Sequence, residues 1–186
     1  MLKTPTSFLF RDAKADDADL DFIVNAFDST IPHLAAIGST GQWGPVPWSQ
    51  RPSFREETLD ELRQSEHYRQ TGEGVPIRIF IAEVEVHDAE SDDPVRVPVA
   101  LAMVNEDRFD EHLKTCQQLE VEIAAAETKR FLFLKVVLTD FRECAAKYRA
   151  GAGARMIDYV KEYAQLKGKE ALYLDCWSGG SRSLKK

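Results

Sequence analysis

Apolar residues along this chain follow two alternating periodicities, one of two residues and one of three to four. Alternating or continuous apolar runs are typical of β-strands, whereas apolar residues three and four apart mark one face of a helix. The strands are predicted at 8–11, 74–86, 95–106, 131–141 and 171–177. The helices are predicted over about 15–38, 53–70 and 153–167. Segment 107–127 is rich in helix-forming residues but lacks a strong signal for a helix start. Two predictions therefore remain for it: a helix, or an irregular excursion before the next strand.

The order of these elements is β-α-α-β-β-(α)-β-α-β. This order predicts an α/β (α+β) fold in which helices flank a central sheet. The strands at 74–86 and 95–106 are separated by the polar turn DAESDDP and predict an antiparallel hairpin. The strand at 131–141 is almost continuously apolar, so we expect it to be central and buried on both faces. The 186 residues, of which 44% are hydrophobic, suit a single domain.

Two helix starts carry polar signals of their own. Asp16 and Asp17 lie just before an apolar helical pattern, and one of the two is predicted to cap the first helix. Ser53 lies three residues before Glu56, which predicts a capping box at the start of the second helix. The intervening segment 38–52 is rich in Gly, Pro and Ser and holds two tryptophans, so it is predicted to be a loop with a large aromatic surface.

Composition and charge narrow the class of protein. The net charge of −7 disfavours nonspecific nucleic-acid binding, which depends on neutralising phosphates. The sequence has no apolar run long enough for a membrane span and no secretory leader at its start. Its three cysteines are widely spaced and odd in number, which argues against a disulfide framework. We therefore expect a cytoplasmic protein that has neither nucleic acid nor a membrane as a partner.

The stretch KYRAGAGARM at 147–156 combines cations with small residues between an apolar strand and a helix. Such a junction directs backbone N–H groups and the positive end of the helix dipole at an anion. A P-loop is excluded, because Ala154 and Arg155 stand where Lys and Ser or Thr are needed. A dinucleotide-binding loop is disfavoured, because Met156 occupies its third glycine position. A flexible linker into a closely packed helix is the alternative without a ligand.

From Phe131 onward the chain resembles the GNAT superfamily of acyl-CoA-dependent N-acetyltransferases. The matching parts are the strand FLFLKVVLTD, the loop RAGAGA, the helix RMIDYVKEYAQLKG and the strand LYLDCW, followed by SGG. The superfamily loop pattern Q/R-x-x-G-x-G/A is met at Gly151 and Gly153, but its first position falls on Tyr148, beside Arg149. Segment 33–44, HLAAIGSTGQWG, resembles the N-terminal helix and loop of one branch of the family.

The resemblance implies the GNAT acyl-CoA N-acyltransferase fold, with a mixed, mostly antiparallel central sheet flanked by helices. It also implies that acetyl-CoA is the cofactor and that it lies between two strands that splay apart. It divides the single domain into a cofactor-binding half at 131–186 and an acceptor-side half at 1–130. Pantetheine would extend the sheet along one strand, and the pyrophosphate would bind the N–H groups of the loop. The implied cofactor-binding residues are Val137, Leu138, Thr139, Arg149, Ala150, Gly151, Ala152, Gly153 and Ala154.

The reaction implied by this family is direct attack of a small-molecule primary amine on the thioester. A positioned group must remove a proton from the ammonium form of the amine. The catalytic candidates are Glu83 and Asp140, and the acceptor-binding candidates are Trp43, Glu85 and Asp175. The histidines show no metal-ligand spacing, so we predict no metal.

The sequence departs from the family pattern in two places. Ten residues separate Asp140 from Gly151, which is more than the family usually needs there. Family members also continue beyond the LYLDCW strand with a helix that carries a tyrosine pair and with two more strands. The resemblance therefore describes a C-terminally truncated chain, with a possible homodimer covering the exposed last strand. An acyl-CoA-binding or sensor module without turnover is the alternative function.

Overall fold

A single five-stranded sheet organises the chain. The computed structural model describes residues 7–86 and 94–176, so most of the turn predicted at 88–94 and everything from Trp177 onward lie outside the described residues. The strands are β1 (Leu9–Asp12), β2 (Ile77–Val86), β3 (Val95–Glu106), β4 (Phe131–Thr139) and β5 (Ala171–Leu174). Their order in the sheet is β1-β2-β3-β4-β5; the first three pairings are antiparallel and the last is parallel. The predicted mixed, mostly antiparallel sheet and its hairpin are confirmed.

The helices connect these strands in sequence, and the longer ones cover the faces of the sheet. They are α1 (Asp17–Ala36), α2 (Phe54–Thr71), α3 (Glu111–Lys114), α4 (Glu120–Glu127), α5 (Glu143–Ala146) and α6 (Ala152–Leu166). Segment 107–127 is thus an excursion of two short helices with a 3₁₀ turn between them. Within the described ranges, no helix combines the length and the apolar character needed to cross a membrane.

The two predicted helix caps have different outcomes. Asp16 caps α1 as predicted: its carboxylate accepts a hydrogen bond of 2.9 Å from the Asp19 N–H. The capping box at α2 is wrong, because the Ser53 side chain makes no capping hydrogen bond. Ser53 has the left-handed backbone conformation, with φ of 65°, whereas a capping serine normally has an extended one.

The two faces of the sheet carry separate hydrophobic layers. Met156 and Val160 of α6 are fully buried against one face, beside Phe80 and Ala102. On the other face, α1 and α2 pack on alternate residues of the same strands. The buried residues of that layer include Leu20, Ile23, Phe27, Leu62, Ile79, Ile81 and Leu101. This alternation is the expected consequence of a sheet covered on both sides.

A buried polar cluster ties α6 to one end of the sheet. The Tyr163 hydroxyl of α6 donates a 2.6 Å hydrogen bond to Glu106 and accepts one of 2.9 Å from Arg78. Arg78 also pairs with Asp12 of β1. The Lys169 ammonium, whose side chain is 1% exposed, lies 3.1 Å from Glu106 and 2.7 Å from Asp107. Because each buried charge has a partner of opposite sign, the cluster can remain ionised inside the protein.

Candidate functional site

The strands β4 and β5 separate part of the way along β4. The two strands pair from Phe131 with Ala171 up to Leu134 with Leu174, and no described residue pairs with β4 on that side beyond this point. The register between β4 and β3 shifts at the same place: Val104 pairs with Leu134 and Met103 with Val136, which leaves Lys135 as a bulged residue. A bulge bends a strand and increases its local twist. The main chain of β4 after the bulge is therefore an open edge.

Two cavities follow this edge and form what we call the trough. The first has a volume of about 520 Å³ and begins where the strands separate. The second, of about 270 Å³, shares Gln42, Trp43 and Val137 with the first and reaches Gly153 at the start of α6. The other lining residues of the first cavity are Phe27, Trp48, Leu134, Lys135, Val136, Leu174, Asp175 and Cys176. The trough therefore joins the strand separation to the glycine-containing loop.

The loop before α6 presents unpaired backbone donors. Gly151 has a φ of +84°, a conformation that residues with a Cβ rarely adopt, and α6 begins at the next residue. The N–H groups of Ala150, Gly151, Gly153 and Ala154 have no protein acceptor within the described ranges. Free N–H groups at a helix N-terminus, together with the helix dipole, favour a bound anion.

The start of α6 lies close against β4. A Cβ added to Gly153 would lie 3.5 Å from the Thr139 methyl group, which is an ordinary van der Waals contact. Tyr148, the residue at the first position of the loop pattern, is partly buried against the core. Arg149 places its guanidinium carbon 5.0 Å from the centre of the Phe141 ring. Arg149 is thus the cation that stands beside the loop.

His33 of α1 closes the loop end of the trough. Its ring stacks on Phe141 with 3.7 Å between the ring centres, and both residues line the second cavity. Desolvation, and to a smaller extent the nearby Arg149 charge, lowers the pKa of His33 below its usual value. A neutral ring is therefore favoured beside Arg149, which leaves the guanidinium as the positive group at this end.

The ten residues between Asp140 and Gly151 form a compact turn. They contain the one-turn helix α5, whose Ala145 is completely buried under β3 and α6. Asp140 is itself fully buried and accepts hydrogen bonds of 2.8–3.0 Å from the Arg142 side chain and one of 2.9 Å from its N–H. The extra length is thus used to bring the chain back to α6, and Asp140 stabilises the turn.

This geometry gives no support to a catalytic role for either predicted carboxylate. The Asp140 carboxylate is fully engaged by Arg142, as just described. Glu83 is buried on the α1 side of the sheet, where Arg11 donates a 2.7 Å hydrogen bond to it. Arg11 also pairs with Asp19, so the three residues form a structural ion cluster. Neither carboxylate lines the trough.

The three predicted acceptor residues separate into two groups. Trp43 lines both cavities of the trough, and Asp175 lines the first one at the end of β5. Glu85 instead lies near the far end of the β2–β3 hairpin, where Arg96 pairs with it at 3.3 Å. The predicted cofactor residues Val137, Leu138, Thr139 and Gly153 do line the second cavity. The structure thus places these four predicted cofactor residues in the same trough as Trp43 and Asp175, whereas Arg149, Ala150, Gly151, Ala152 and Ala154 do not line it and Glu85 lies apart.

Gln42 and Lys135 of the trough escaped the sequence analysis, whereas Trp48 belongs to the aromatic surface predicted for 38–52. Gln42 and Trp48 lie in the predicted aromatic loop, and each has a buried polar atom, Oε1 and Nε1 respectively, with no partner in the described part of the chain. Lys135 lines the first cavity from the bulge. The aromatic loop itself was a usable signal for Trp48, whereas nothing local marked Lys135 as special. No group of three or more His, Cys, Asp or Glu residues that could hold a metal occurs among residues 7–86 and 94–176.

Comparison with known proteins gives similarity in structure without similarity in sequence. No protein-family model matches the sequence, and no curated protein sequence is detectably similar. A transcriptional regulator from Bacillus halodurans C-125 has a similar structure, with a TM-score of 0.50 and 12% identity over 96% of this chain and 88% of that one. AAC(6')-Iy, in complex with the bisubstrate analog CoA-S-monomethyl-acetylneamine, is similar with a TM-score of 0.50 and 12% identity over 97% of this chain and 86% of that one. At this identity the likeness establishes a shared fold.

Proposed function

We propose that this chain, whose fold is that of the GNAT acyl-CoA N-acetyltransferases, transfers an acetyl group from acetyl-CoA to a primary amine of a small molecule. The observation that carries the proposal is the trough, which runs from an open β4 edge to a loop of unpaired N–H groups. Function is set by such a site and not by the fold alone, since one fold supports many activities. The bisubstrate analog bound by AAC(6')-Iy contains CoA, which agrees with this choice of cofactor.

The residues of the trough fit an acyl-CoA chemically. The N–H groups of Ala150, Gly151, Gly153 and Ala154 would hold the pyrophosphate, with Arg149 adding positive charge beside it. The open main chain of β4 at 137–139 would hydrogen-bond the amides of pantetheine as an added strand. Ala152 is completely buried and would contribute only its small size.

The chemistry divides between the cofactor and the protein. Acetyl-CoA supplies an activated acyl group. The chain supplies orientation, because the trough aligns one reactant along β4 while the first cavity, lined by Trp43 and Asp175, would give the amine access to it. A main-chain N–H at the Lys135 bulge, where the β3 register is broken, is suitably placed to stabilise negative charge on the carbonyl oxygen. Direct transfer requires no covalent acyl-enzyme, so Cys176 needs no nucleophilic role.

Ligand-dependent stabilisation tests the proposed cofactor. CoA and acetyl-CoA should each raise the melting temperature of the protein, by an amount equivalent to about 2.7 kcal/mol when the ligand is at 100 times its Kd. NAD should have no effect, because Met156 fills the space that a dinucleotide loop leaves for glycine. Stabilisation by NAD alone would contradict the proposal.

A thiol-release assay over a panel of primary amines tests the transfer itself. CoA release should depend on both acetyl-CoA and an amine. Binding of CoA with no release for any amine would favour the acyl-CoA-binding or sensor module, which the structural comparisons do not favour.

We further propose that two copies associate along β5. Within the described part of the chain, β5 pairs only with β4, and Leu174 is 58% exposed at its end. An unpaired strand edge is a site at which another chain can add. Light scattering after size exclusion should give twice the chain mass of 21.0 kDa. A single-chain mass at high protein concentration would rule this association out.

A further inference from the structure

A third cavity lies between α2 and the bulge of β4. Its volume is about 200 Å³, and it shares Phe27, Trp48, Lys135 and Val136 with the first cavity of the trough. Its remaining lining residues are Phe54, Glu57, Thr58, Glu61 and Met103. The shared residues make it a side chamber, which we call the α2 chamber, that opens at the bulge. It therefore meets the trough where the thioester of a cofactor bound along β4 would be expected.

Three aromatic rings form the wall of the α2 chamber. The ring centres of Phe27 and Trp48 are 5.1 Å apart, and those of Phe27 and Phe54 are 5.3 Å apart. The ring centres of Trp48 and Phe54 are 4.9 Å apart. Arg51 already stacks on the Trp48 ring at 3.5 Å. Aromatic rings bind both hydrocarbon groups and cations. The wall therefore suits the body of an organic cation.

The floor of the chamber already holds one ammonium group. The Lys135 ammonium pairs with Glu61, and both side chains are partly exposed, at 25% and 28%. Glu57, one helical turn before Glu61, lines the same chamber and has no ion-pair partner among the described residues. Two carboxylates and one ammonium give the chamber a net negative charge. An amine that enters it would meet the same carboxylate that Lys135 now occupies.

We propose that the α2 chamber is the binding site of the acceptor and that Glu61 takes the proton from the acceptor's ammonium. The acceptor class is a primary amine, positively charged in water, with an apolar or aromatic body that packs on Phe27, Trp48 and Phe54. Lys135 occupies the ammonium position in the absence of an acceptor. This inference rests on the proposed acetyl transfer, which it deepens by assigning the acceptor site and the base.

The proton balance of the step is simple. Glu61 removes one proton from the ammonium, and the freed amine nitrogen forms a bond to the acyl carbon while the bond from that carbon to the CoA sulphur breaks. The nitrogen then loses a second proton, and the sulphur takes up one proton. Glu61 returns its own proton to water. Overall, ammonium and acetyl-CoA give amide, CoA and one proton released to solvent.

Binding of simple amines to the CoA-saturated protein tests the site without requiring turnover. The probes are 2-phenylethylamine and hexylamine, with 2-phenylethanol as the uncharged control. Both amines should raise the melting temperature above that of the CoA complex, and the alcohol should not. If CoA stabilises the protein but neither amine adds to it, the chamber is not an amine site and this inference fails, although the cofactor assignment stands. If CoA itself has no effect, the proposed function fails.

Three variants distinguish a specific role of Glu61 in amine binding from the general effect of removing one charge from the protein. Glu61→Gln should abolish stabilisation by the amines and leave CoA binding unchanged. Glu56→Gln makes the same charge change on an exposed residue of α2 that does not line the chamber, so it should behave as wild type. Lys135→Met should bind the amines about 10-fold more tightly, because it removes a like charge and an internal competitor. Equal amine binding by Glu61→Gln and Glu56→Gln, or weaker binding by Lys135→Met, would overturn the proposal.

Turnover gives the second readout. With an amine that supports thiol release, Glu61→Gln should lower kcat by roughly 10²- to 10⁴-fold, the usual range for removal of a general base, without changing KM for acetyl-CoA. A residue with a purely structural role would raise that KM or lower the melting temperature as well. A Glu61→Gln variant that retains kcat within a few-fold of Glu56→Gln would show that another group removes the proton.

Discussion

Replacing Gly153 with aspartate is expected to weaken CoA binding by about 100-fold while leaving the protein folded. The carboxylate would stand among the N–H groups proposed to hold the pyrophosphate. A repulsion of about 3 kcal/mol lies within the range for charges roughly 4 Å apart near a protein surface, and it corresponds to this loss of affinity. Titration calorimetry with CoA measures the change directly.

The same substitution should not destabilise the fold. Gly153 lies in the first turn of α6, where a negative side chain interacts favourably with the helix dipole and stabilises the helix. Replacing a glycine also reduces the conformational entropy of the unfolded chain, which favours the folded state. The new Cβ would be in ordinary contact with Thr139, at 3.5 Å. Gly153→Asn, which is similar in size and uncharged, is the matched control and should retain most of the binding. Equal CoA affinities for the two variants would show that the phosphates bind elsewhere.

Replacing Lys169 with methionine is expected to cost about 3–5 kcal/mol of unfolding free energy, the range for removing one partner of a buried ion pair. Its ammonium is almost fully buried between Glu106 and Asp107, and the variant would leave the Glu106 carboxylate without this partner. Urea unfolding measures the loss. Lys161→Met, on the exposed face of α6, is the control and should change the stability by less than about 0.5 kcal/mol. A loss for Lys169→Met no larger than that of the control would contradict the role of the cluster.

The same cluster determines how the effect of Lys169→Met depends on pH. Burial alone would raise the pKa of Glu106, but hydrogen bonds from Tyr163 and Lys169 outweigh it and lower the pKa below 4.5. The pKa of Asp107 is lowered below 3.8 in the same way, by Lys169 and the Phe131 N–H acting against burial. These groups therefore stabilise the fold above those pH values and lose the contribution as the pH falls through their folded pKa. The difference in unfolding free energy between wild type and Lys169→Met should therefore become smaller in that acidic range.

The sequence predicted those parts of the fold that depend on local periodicity. Strands such as β2 and β4 appear as apolar runs, and Asp16 caps α1 because an N-cap requires only a few neighbouring residues. Ser53 failed as a cap because its backbone is left-handed, which the capping-box pattern does not encode. The bulge at Lys135 was also invisible, since it is a mismatch between two strands and not a property of one.

The candidate site divides in the same way. Gly151 and Gly153 could be singled out from sequence because the strand, loop and helix of the proposed anion site are adjacent in the chain. The acidic residues could not, because a carboxylate is defined by what surrounds it. Asp140 is engaged by Arg142, two residues away, whereas Glu61 meets Lys135 across 74 residues of sequence. Carboxylates in strands attracted attention because of their alternation, but the carboxylate proposed as the base lies on a helix and lines the α2 chamber.

The order of the strands in the sheet also affects how the protein can fold while it is being synthesised. Because β2, β3, β4 and β5 each pair with the strand made just before them, the sheet can grow one strand at a time as the chain leaves the ribosome. The α2 chamber needs only the chain up to Val136, whereas the proposed anion loop and β5 follow later. A nascent chain would therefore form the walls for the acceptor before it could retain a nucleotide cofactor.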